Sequence, residues 1–229
     1  MSDIDTRTRL LLGDAAVKKL KAAHVALFGL GGVGGYCLEA LVRAGVGTLD
    51  LYDGDTFDAS NLNRQLLSTV NVLGREKTEV AKERALSIRP DIQIKPHQMF
   101  YLPEKAQEID FSVYDYVIDA IDTVTAKLSL IEQAKKANVP VISCMGAGNK
   151  KDPTAFHVSD ISQTSVCPLA KVMRKELKAR GITNVKVVFS TEPATRPDGQ
   201  PEKIGSLVTT VAAAGILLAN EVILDLTRG

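Results

Sequence analysis

Cysteine is scarce in this chain of 229 residues, which contains Cys37, Cys144 and Cys167 and no others. Their number is odd, their spacing is wide and irregular, and no two of them form a CxxC pair, so we expect no structural zinc site. Because disulfide frameworks belong to oxidising compartments, the same scarcity favours a reducing one. We therefore expect a cytoplasmic protein.

An excess of charge of either sign is also missing, since 28 Lys and Arg residues face 27 Asp and Glu residues. A chain with this charge balance does not bind nucleic acid through its net charge. Contact with tRNA or DNA would require a local basic patch. The first five residues carry neither a basic nor an apolar segment, so we expect no signal peptide.

Long apolar runs are limited to one stretch, residues 205–226. A membrane-spanning helix needs about 20 residues with few charges. Polar residues interrupt this stretch at Thr209, Thr210, Asn220, Glu221 and Asp225. Together with its periodic apolar face, they predict a buried C-terminal helix and no membrane span.

The rest of the chain alternates between short apolar runs and amphipathic helical patterns. Such alternation predicts an α/β fold of the Rossmann-like, doubly wound type, with a mainly parallel sheet covered by helices on both faces. The predicted strands cover residues 25–28, 48–52, 92–95, 116–118 and 139–143, and the predicted helices cover 33–44, 75–88 and 126–138.

We expect one domain over residues 1–229. Residues 7–145 would form a nucleotide-binding core, which begins with a helical arm over 7–23 that breaks at Gly13 and uses Asp14 as an N-cap. Residues 146–229 would form an extension that closes over the nucleotide side and carries two short strands, a basic helix and the buried C-terminal helix. The loop over 191–203 in this extension contains Pro193, Pro197 and Pro201.

A glycine-rich turn follows the first predicted strand and opens the next helix, with the sequence Gly29-Leu30-Gly31-Gly32-Val33-Gly34. Such a turn exposes backbone N–H groups at a helix N-terminus, and its glycines permit a tight turn and close approach of a ligand. Asp53 ends the following strand, where an acidic residue suits a ribose hydroxyl. The pattern predicts a nucleotide site, although dehydrogenases and ATP-using enzymes share it.

The residues after Asp53 favour a triphosphate over a dinucleotide. Cationic and amide side chains, for which hydride transfer has no evident need, follow at Asn61, Arg64, Gln65 and Lys77. Asp122 follows a predicted strand at the edge where ligands bind, and its carboxylate can hold Mg²⁺. Asp119 is expected to cap or pack at the strand end, and Asp55 either joins the site or only hydrogen-bonds its own turn.

In this order and spacing, these segments resemble the adenylating core of the E1-like superfamily. That superfamily includes ubiquitin-activating enzymes and the bacterial activators of the molybdopterin and thiamine sulfur carriers. The resemblance spans residues 7–145 and rests on residues 29–34, 53–55, 61–65, 77 and 119–122.

The resemblance implies ATP and Mg²⁺ as cofactors, with Asp53 on the ribose and Asp122 beside the magnesium. It places Asn61, Arg64, Gln65 and Lys77 around the phosphates. It also implies a homodimer in which an arginine of the N-terminal arm, Arg7 or its rival Arg9, reaches the partner's nucleotide.

The second half of the chain resembles one branch of that superfamily, the tRNA threonylcarbamoyladenosine dehydratases. This resemblance rests on residues 145–149, 152–154, 160–161, 164–170 and 190–192. The lack of paired CxxC motifs and of a C-terminal rhodanese-like extension agrees with it. The implied activity is ATP-dependent activation of a threonyl carboxylate, followed by cyclisation with loss of water.

Three other functions stay open on the residues alone. An activator of the C-terminal glycine of a sulfur-carrier protein would share the adenylation chemistry. An NAD-dependent oxidoreductase would share only the glycine turn and Asp53, and a non-catalytic nucleotide sensor would bind ATP without releasing pyrophosphate. The need for a sulfurtransferase-type partner is open as well.

A basic helix after Pro168 is the best candidate for contact with tRNA, with a merely solvated face as the alternative. Its cations are Lys171, Arg174, Lys175 and Lys178, opposite an apolar stripe of Leu169, Val172, Met173 and Leu177, and Arg180 and Lys186 would extend the patch. Cys167 precedes this helix, where an N-terminus can activate a thiol. Because the cyclisation needs no covalent thiol, we expect a structural role for Cys167 and core positions for Cys37 and Cys144.

Overall fold

The computed structural model describes residues 3–195 and 204–228, so Pro197 and Pro201 of the predicted loop lie outside the described residues. The N-terminal arm consists of α1 (Thr6–Leu12) and α2 (Asp14–Ala22), which meet at Gly13 with a φ of 86°. The prediction of Asp14 as the N-cap is wrong. Gly13 takes that position, because Asp14 is already helical and its carboxylate binds Arg9 at 2.6 Å.

One sheet contains all seven strands of the described residues: β1 (His24–Phe28), β2 (Thr48–Asp53), β3 (Gln93–Gln98), β4 (Tyr116–Asp119), β5 (Val141–Cys144), β6 (Phe156–Asp160) and β7 (Lys186–Ser190). Their order is β3-β2-β1-β4-β5-β7-β6, and every neighbouring pair is parallel except β6 with β7. This confirms the predicted doubly wound, mainly parallel sheet. The two strands from the second half of the chain extend the sheet of the first half.

Helices cover both faces of the sheet: α3 (Gly34–Ala44), α4 (Lys77–Ile88) and α7 (Val208–Thr227) on one face, and α5 (Val124–Lys136) and α6 (Pro168–Ala179) on the other. Successive strand residues point to opposite faces, so β1 supplies both cores. Leu27 packs in the core that contains Leu41 of α3, and Phe28 packs in the core that contains Ile131 of α5.

The C-terminal helix α7 is long and apolar enough, by length and composition alone, to span a membrane. In the fold it packs closely against α3. A Cβ placed on Gly215 would lie 2.3 Å from the Val33 carbonyl oxygen, so only glycine allows the two helices to approach this closely. Val211 and Leu218 are buried at the same interface. The predicted C-terminal helix with a buried face is confirmed, although it begins three residues later than expected.

The strand register sets the position of the site. Phe28, the last residue of β1, pairs with Tyr52 of β2 on one side and with Asp119 of β4 on the other. The carboxyl ends of these three strands therefore form one edge of the sheet. Because β1 lies between β2 and β4, the chain leaves this edge toward β2 on one side and the strand order continues to β4 on the other. Ligands of open α/β sheets bind at such an edge.

Candidate nucleotide-binding site

The glycine turn between β1 and α3 is shaped by close backbone contacts. Gly29 has a φ of 92°, and its N–H donates to the Tyr52 carbonyl oxygen at 2.8 Å. A Cβ placed on Gly34 would lie 1.8 Å from the Gly29 carbonyl oxygen, and a Cβ on Gly29 would lie 2.7 Å from that of Ala120. Side chains are therefore excluded at both glycines, as expected for a tight turn.

The two middle glycines have different surroundings. A Cβ on Gly32 would lie 3.2 Å from the Val211 side chain of α7, whereas the atom nearest to a Cβ on Gly31 is Nε2 of Gln65 at 3.9 Å. Gly31 thus borders open space beside a polar side chain, where a ligand could approach the main chain.

The Asp53 carboxylate connects the glycine turn to the end of β2 through hydrogen bonds. One carboxylate oxygen accepts the N–H of Leu30 at 2.7 Å, and the other accepts the N–H of Asp55 at 2.8 Å. A carboxylate has about four acceptor positions, so these two bonds orient Asp53 and leave it able to accept ribose hydroxyls. The predicted ribose residue is therefore placed next to the predicted phosphate loop.

Lys77 and Asp55 meet at the start of α4. The Lys77 ammonium donates to Asp55 Oδ2 at 2.9 Å, and the Lys77 N–H donates to the Asp55 carbonyl oxygen at 3.1 Å. The lysine side chain is 5% exposed and the aspartate side chain 54% exposed. Within the described residues the Asp55 carboxylate binds a predicted site lysine and makes no hydrogen bond to its own turn, and its place in the nucleotide site stays a prediction.

The segment that carries Asn61 and Arg64 begins with a capping box. The Asn61 Oδ1 accepts the N–H of Asp58 at 3.1 Å, while the Asp58 carboxylate accepts the N–H of Ser60 at 2.8 Å. The bond from Ser60 lowers the pKa of Asp58. Arg64 donates from Nη1 to the Ser60 carbonyl oxygen at 2.7 Å and to Asn63 Oδ1 at 2.9 Å. Asn61 is thus partly structural, and one end of the Arg64 guanidinium is held in place.

Gln65 is a predicted site residue whose buried side chain has a polar atom without a hydrogen-bond partner in the described part of the chain. It is 7% exposed, and its Oε1 has no hydrogen-bond partner within the described residues. A buried polar atom without a partner costs free energy that a bound donor can recover. Because Gln65 lies beside Gly31, its surroundings fit a ligand in the glycine turn.

Asp122 and Asp119 have opposite surroundings. Asp122 is exposed, and within residues 3–195 and 204–228 the only hydrogen bond of its side chain comes from Thr123 Oγ1 at 3.4 Å. Asp119 is fully buried and pairs with the ammonium of Lys127 at 2.9 Å. The prediction that Asp119 packs at the strand end is confirmed. Sequence reasoning missed Lys127, whose signal is a lysine on the buried face of an otherwise apolar helical stripe.

The N-terminal arginines differ in their partners. Arg9 lies 3.0 Å from the carboxylate of Asp3 and 2.6 Å from that of Asp14. The hydrogen bond that Arg9 donates to the Asp3 carboxylate raises the pKa of Arg9. Arg7 is exposed and has no ion pair within the described part of the chain. Of the two arginines, Arg9 is therefore the one whose guanidinium already binds carboxylates of the described residues.

The basic helix α6 presents some of its predicted cations and not others. Lys171, Lys175 and Lys178 are exposed, whereas Arg174 is partly buried and donates to the Thr164 carbonyl oxygen at 2.7 Å. Lys186 does not extend the patch, since its ammonium binds Glu221 and Asp225 of α7 at 2.7 and 2.6 Å. Val172 is 44% exposed, and the buried stripe consists of Ala170, Met173 and Leu177.

The cysteines occupy structural positions. Cys37 and Cys144 are buried, as predicted, and burial raises the pKa of both thiols, that of Cys144 to about 12. Cys167 is 4% exposed and is the N-cap residue of α6, with Pro168 in the first turn as expected. A Cβ on Gly146 would lie 3.5 Å from its sulfur, so the thiol packs against the 145–149 segment.

A Rossmann-like sheet with this glycine turn defines a nucleotide-binding domain. The polar side chains that come after the turn, in their order along the chain, define an E1-like domain. The chain belongs to the ThiF family, whose sequence model matches residues 6–228. It is 36% identical to the tRNA threonylcarbamoyladenosine dehydratase of Bacillus subtilis strain 168, over 97% of this chain and 94% of that relative.

Two crystal structures of the Escherichia coli tRNA N6-threonylcarbamoyladenosine dehydratase have the same fold. One is a complex with AMP and the other a complex with ATP, and their TM-scores with this chain are 0.90 and 0.88. Both are 32% identical to it and match 96% of this chain and 92% of theirs.

Proposed function

We propose that this protein is an ATP-dependent tRNA threonylcarbamoyladenosine dehydratase. The observation that carries the proposal is the match to dehydratases over nearly the whole chain, including the second half, which a general adenylating core would not require. The ATP and AMP complexes of the Escherichia coli relative support ATP as the cosubstrate.

The proposed reaction has two steps. An oxygen of the threonyl carboxylate attacks the α-phosphate of ATP, which forms an acyl-adenylate and releases pyrophosphate. A nitrogen or oxygen of the same modified side chain then attacks the acyl carbon, closes a ring and expels AMP, which carries away the carboxylate oxygen. The net change in the nucleoside is the loss of one water, and the intramolecular second step gains from effective concentration.

Each predicted site residue has a role in this scheme. Asp53 binds the ribose, while the N–H groups of the glycine turn and the Nε2 amide group of Gln65 donate to the phosphates. Arg64 and Lys77 stabilise the negative charge that develops during adenylation. Asp55 holds the Lys77 ammonium in position, and Asn61 shapes the start of the segment that carries Arg64, while both also border the ligand.

Asp122 is the residue that would hold Mg²⁺. Its exposed carboxylate fits that ion, because Mg²⁺ in nucleotide sites is usually bound by one or two carboxylates together with phosphates and water. The described residues contain no group of three or more His, Cys, Asp or Glu side chains that could bind a metal by themselves. When bound, the ion would neutralise phosphate charge.

A second copy of the chain and a tRNA would complete the site. Arg7 is exposed and has no carboxylate partner among the described residues, which suits an arginine that reaches the nucleotide of a partner subunit in a homodimer. Lys171, Lys175 and Lys178 would contact tRNA phosphates, and Arg174 would support them from its bond to Thr164. A sulfurtransferase-type partner and a cytoplasmic location remain part of the same proposal.

The deciding experiment incubates the purified protein with ATP, Mg²⁺ and tRNA that bears threonylcarbamoyladenosine, and then analyses the digested nucleosides by mass. ATP-dependent loss of one water from that nucleoside is the expected result. An unchanged nucleoside, with pyrophosphate release only when a glycine-ended carrier protein is added, would instead show a sulfur-carrier activator.

A further inference from the structure

Lys127 and Asp119 form a buried ion pair next to the turn that carries Asp122. The Lys127 side chain is fully buried, and its ammonium donates to Asp119 Oδ2 at 2.9 Å and to the Ile121 carbonyl oxygen at 3.0 Å. Lysine is almost never fully buried unless it is paired, and the loss of hydration of two charges offsets much of their attraction. The pair is therefore weak evidence for stability, and its location is more informative.

The Asp119 carboxylate joins several elements at one point. Besides Lys127 of α5, it accepts the hydroxyl of Ser143 in β5 at 2.5 Å and the N–H of Ile121 at 3.1 Å. The ammonium and the carboxylate thus bind both the N–H and the carbonyl of Ile121. Since Ile121 directly precedes Asp122, these bonds fix the backbone that carries the Asp122 side chain.

The same turn also contacts the glycine turn. The Ala120 N–H donates to the Phe28 carbonyl oxygen at 2.8 Å, and the Ala120 carbonyl oxygen closes the space beside Gly29. The Asp122 side chain itself has only a 3.4 Å contact with Thr123 to restrain it among the described residues. Its direction is therefore set mainly by the backbone of residues 120–122.

We propose that Lys127 and Asp119 are positioning residues, which hold the turn over residues 120–122 so that the Asp122 carboxylate and the glycine turn keep the geometry needed for adenylation. The proposal rests on the proposed function for the role of Asp122. Both side chains are fully buried, so the role we assign to them acts through the turn and not through contact with the nucleotide.

The test uses a variant that removes both charges together, Lys127→Met with Asp119→Asn. Removal of one charge alone would leave the other buried without a partner, and that variant could fail to fold. Methionine is an apolar side chain of similar length, and asparagine still accepts the Ile121 N–H. The control is Lys186→Met with Asp225→Asn, a partly exposed ion pair between the amino end of β7 and α7, where the atoms are 2.6 Å apart.

Amide hydrogen exchange and steady-state kinetics are measured on the wild type and both double variants. We expect residues 120–123 to exchange about tenfold faster in the Lys127 and Asp119 variant, and AMP to protect them in the wild type and the control only. We also expect kcat to fall about 10–100-fold while KM for ATP stays within about twofold, because misplacement of a reacting group costs rate more than binding.

Unchanged exchange at residues 120–123, or a kcat within about twofold of the control variant, would overturn the proposal. Failure of the proposed function gives a different result, because the wild-type protein would then leave the nucleoside unchanged. In that case the exchange data in the presence and absence of AMP still decide whether the buried pair holds the turn.

Discussion

The ammonium of Lys77 lies 2.9 Å from the Asp55 carboxylate, and the lysine is the buried member of the pair. Its side chain is 5% exposed, against 54% for that of Asp55. A buried cation is held by a carboxylate that faces solvent, so a phosphate that arrives from the solvent side can compete for the ammonium. The pair therefore places a positive charge at the site before a nucleotide binds.

This pair predicts unequal effects of two substitutions. Lys77→Met removes the charge that stabilises the phosphates, and we expect kcat/KM for ATP to fall about 10²–10³-fold. Asp55→Asn keeps an oxygen that accepts from Lys77, so we expect a reduction of less than about tenfold. Pyrophosphate release measures both, and an equal reduction in the two variants would contradict the assignment.

The geometry of the glycine turn predicts that alanine substitutions at Gly34 and Gly31 have different effects, one on stability and one on ATP binding. Gly34→Ala would place a Cβ 1.8 Å from the Gly29 carbonyl oxygen, so we expect a large loss of stability with the turn distorted. Gly31→Ala meets nothing closer than 3.9 Å, so we expect a stable fold with weaker ATP binding. Thermal unfolding and calorimetric titration separate the two, and normal ATP affinity in Gly31→Ala would argue against ligand approach there.

Mixed dimers can test the role of Arg7. If each site combines Arg64 of one subunit with Arg7 of its partner, then Arg7→Ala and Arg64→Ala are each inactive as homodimers. Random mixing gives heterodimers in about half of the dimers, each with one intact site, so roughly a quarter of wild-type activity should return. Absence of any recovery after subunit exchange would refute the shared site, and Arg9→Ala is the control that should stay active.

The buried pair of Asp5 and Arg89 predicts a loss of stability in acid. Burial of the carboxyl opposes ionisation, but hydrogen bonds from Arg89 and Lys21 outweigh it and hold the pKa of Asp5 below its ordinary value of 3.8. A carboxyl with a lowered pKa in the folded state stabilises the protein above its unfolded pKa and loses this contribution as the pH falls through the folded value.

Asp5→Asn measures this contribution directly. At pH 7 it leaves the Arg89 guanidinium buried without its carboxylate, which should cost about 3–5 kcal/mol of unfolding free energy. As the pH falls from about 4 through the lowered folded pKa of Asp5, the wild-type carboxyl takes up a proton, so the difference in unfolding free energy between wild type and variant should shrink. Denaturant unfolding between pH 3 and pH 7 checks this, and a difference that does not change with pH would exclude the linkage.

The proposed tRNA surface on α6 predicts a change in salt dependence. Replacement of Lys171, Lys175 and Lys178 by glutamine should weaken tRNA binding and make the slope of log affinity against log salt shallower, by about 0.7–0.9 for each phosphate that the helix no longer neutralises. The control replaces Lys18 and Lys19, two exposed lysines of α2. Equal slopes in the two variants would show that α6 is only a solvated face.

Local patterns predicted the elements because each pattern has a local cause. The glycine turn, the apolar strands and the amphipathic helices are encoded by neighbouring residues, and the structure has them within a few positions of the predicted bounds. The error at Lys186 has another cause, because its partners are distant in the chain. Lys186 looked like part of a basic patch, but the fold places Glu221 and Asp225 against it.

Buried polar clusters are a second feature that local patterns do not reveal. His24 and His97 are far apart in the chain, yet both imidazoles contact the buried carboxylate of Asp50, at 2.6 and 3.2 Å. Their strands flank β2 on its two sides, and the register brings the three side chains to one face. Such a cluster depends on strand order, which no local pattern contains.

The sequence by itself determined the class of fold, the glycine turn and the identity of the polar residues that follow it, because these depend on composition and spacing along the chain. Only the tertiary structure decided that Lys77 is buried against Asp55, that Arg9 and not Arg7 is paired with carboxylates of the described residues, and that Lys127 is bonded to the turn before Asp122. The physical reason is that charge pairing and burial depend on which residues the fold brings within a few ångströms.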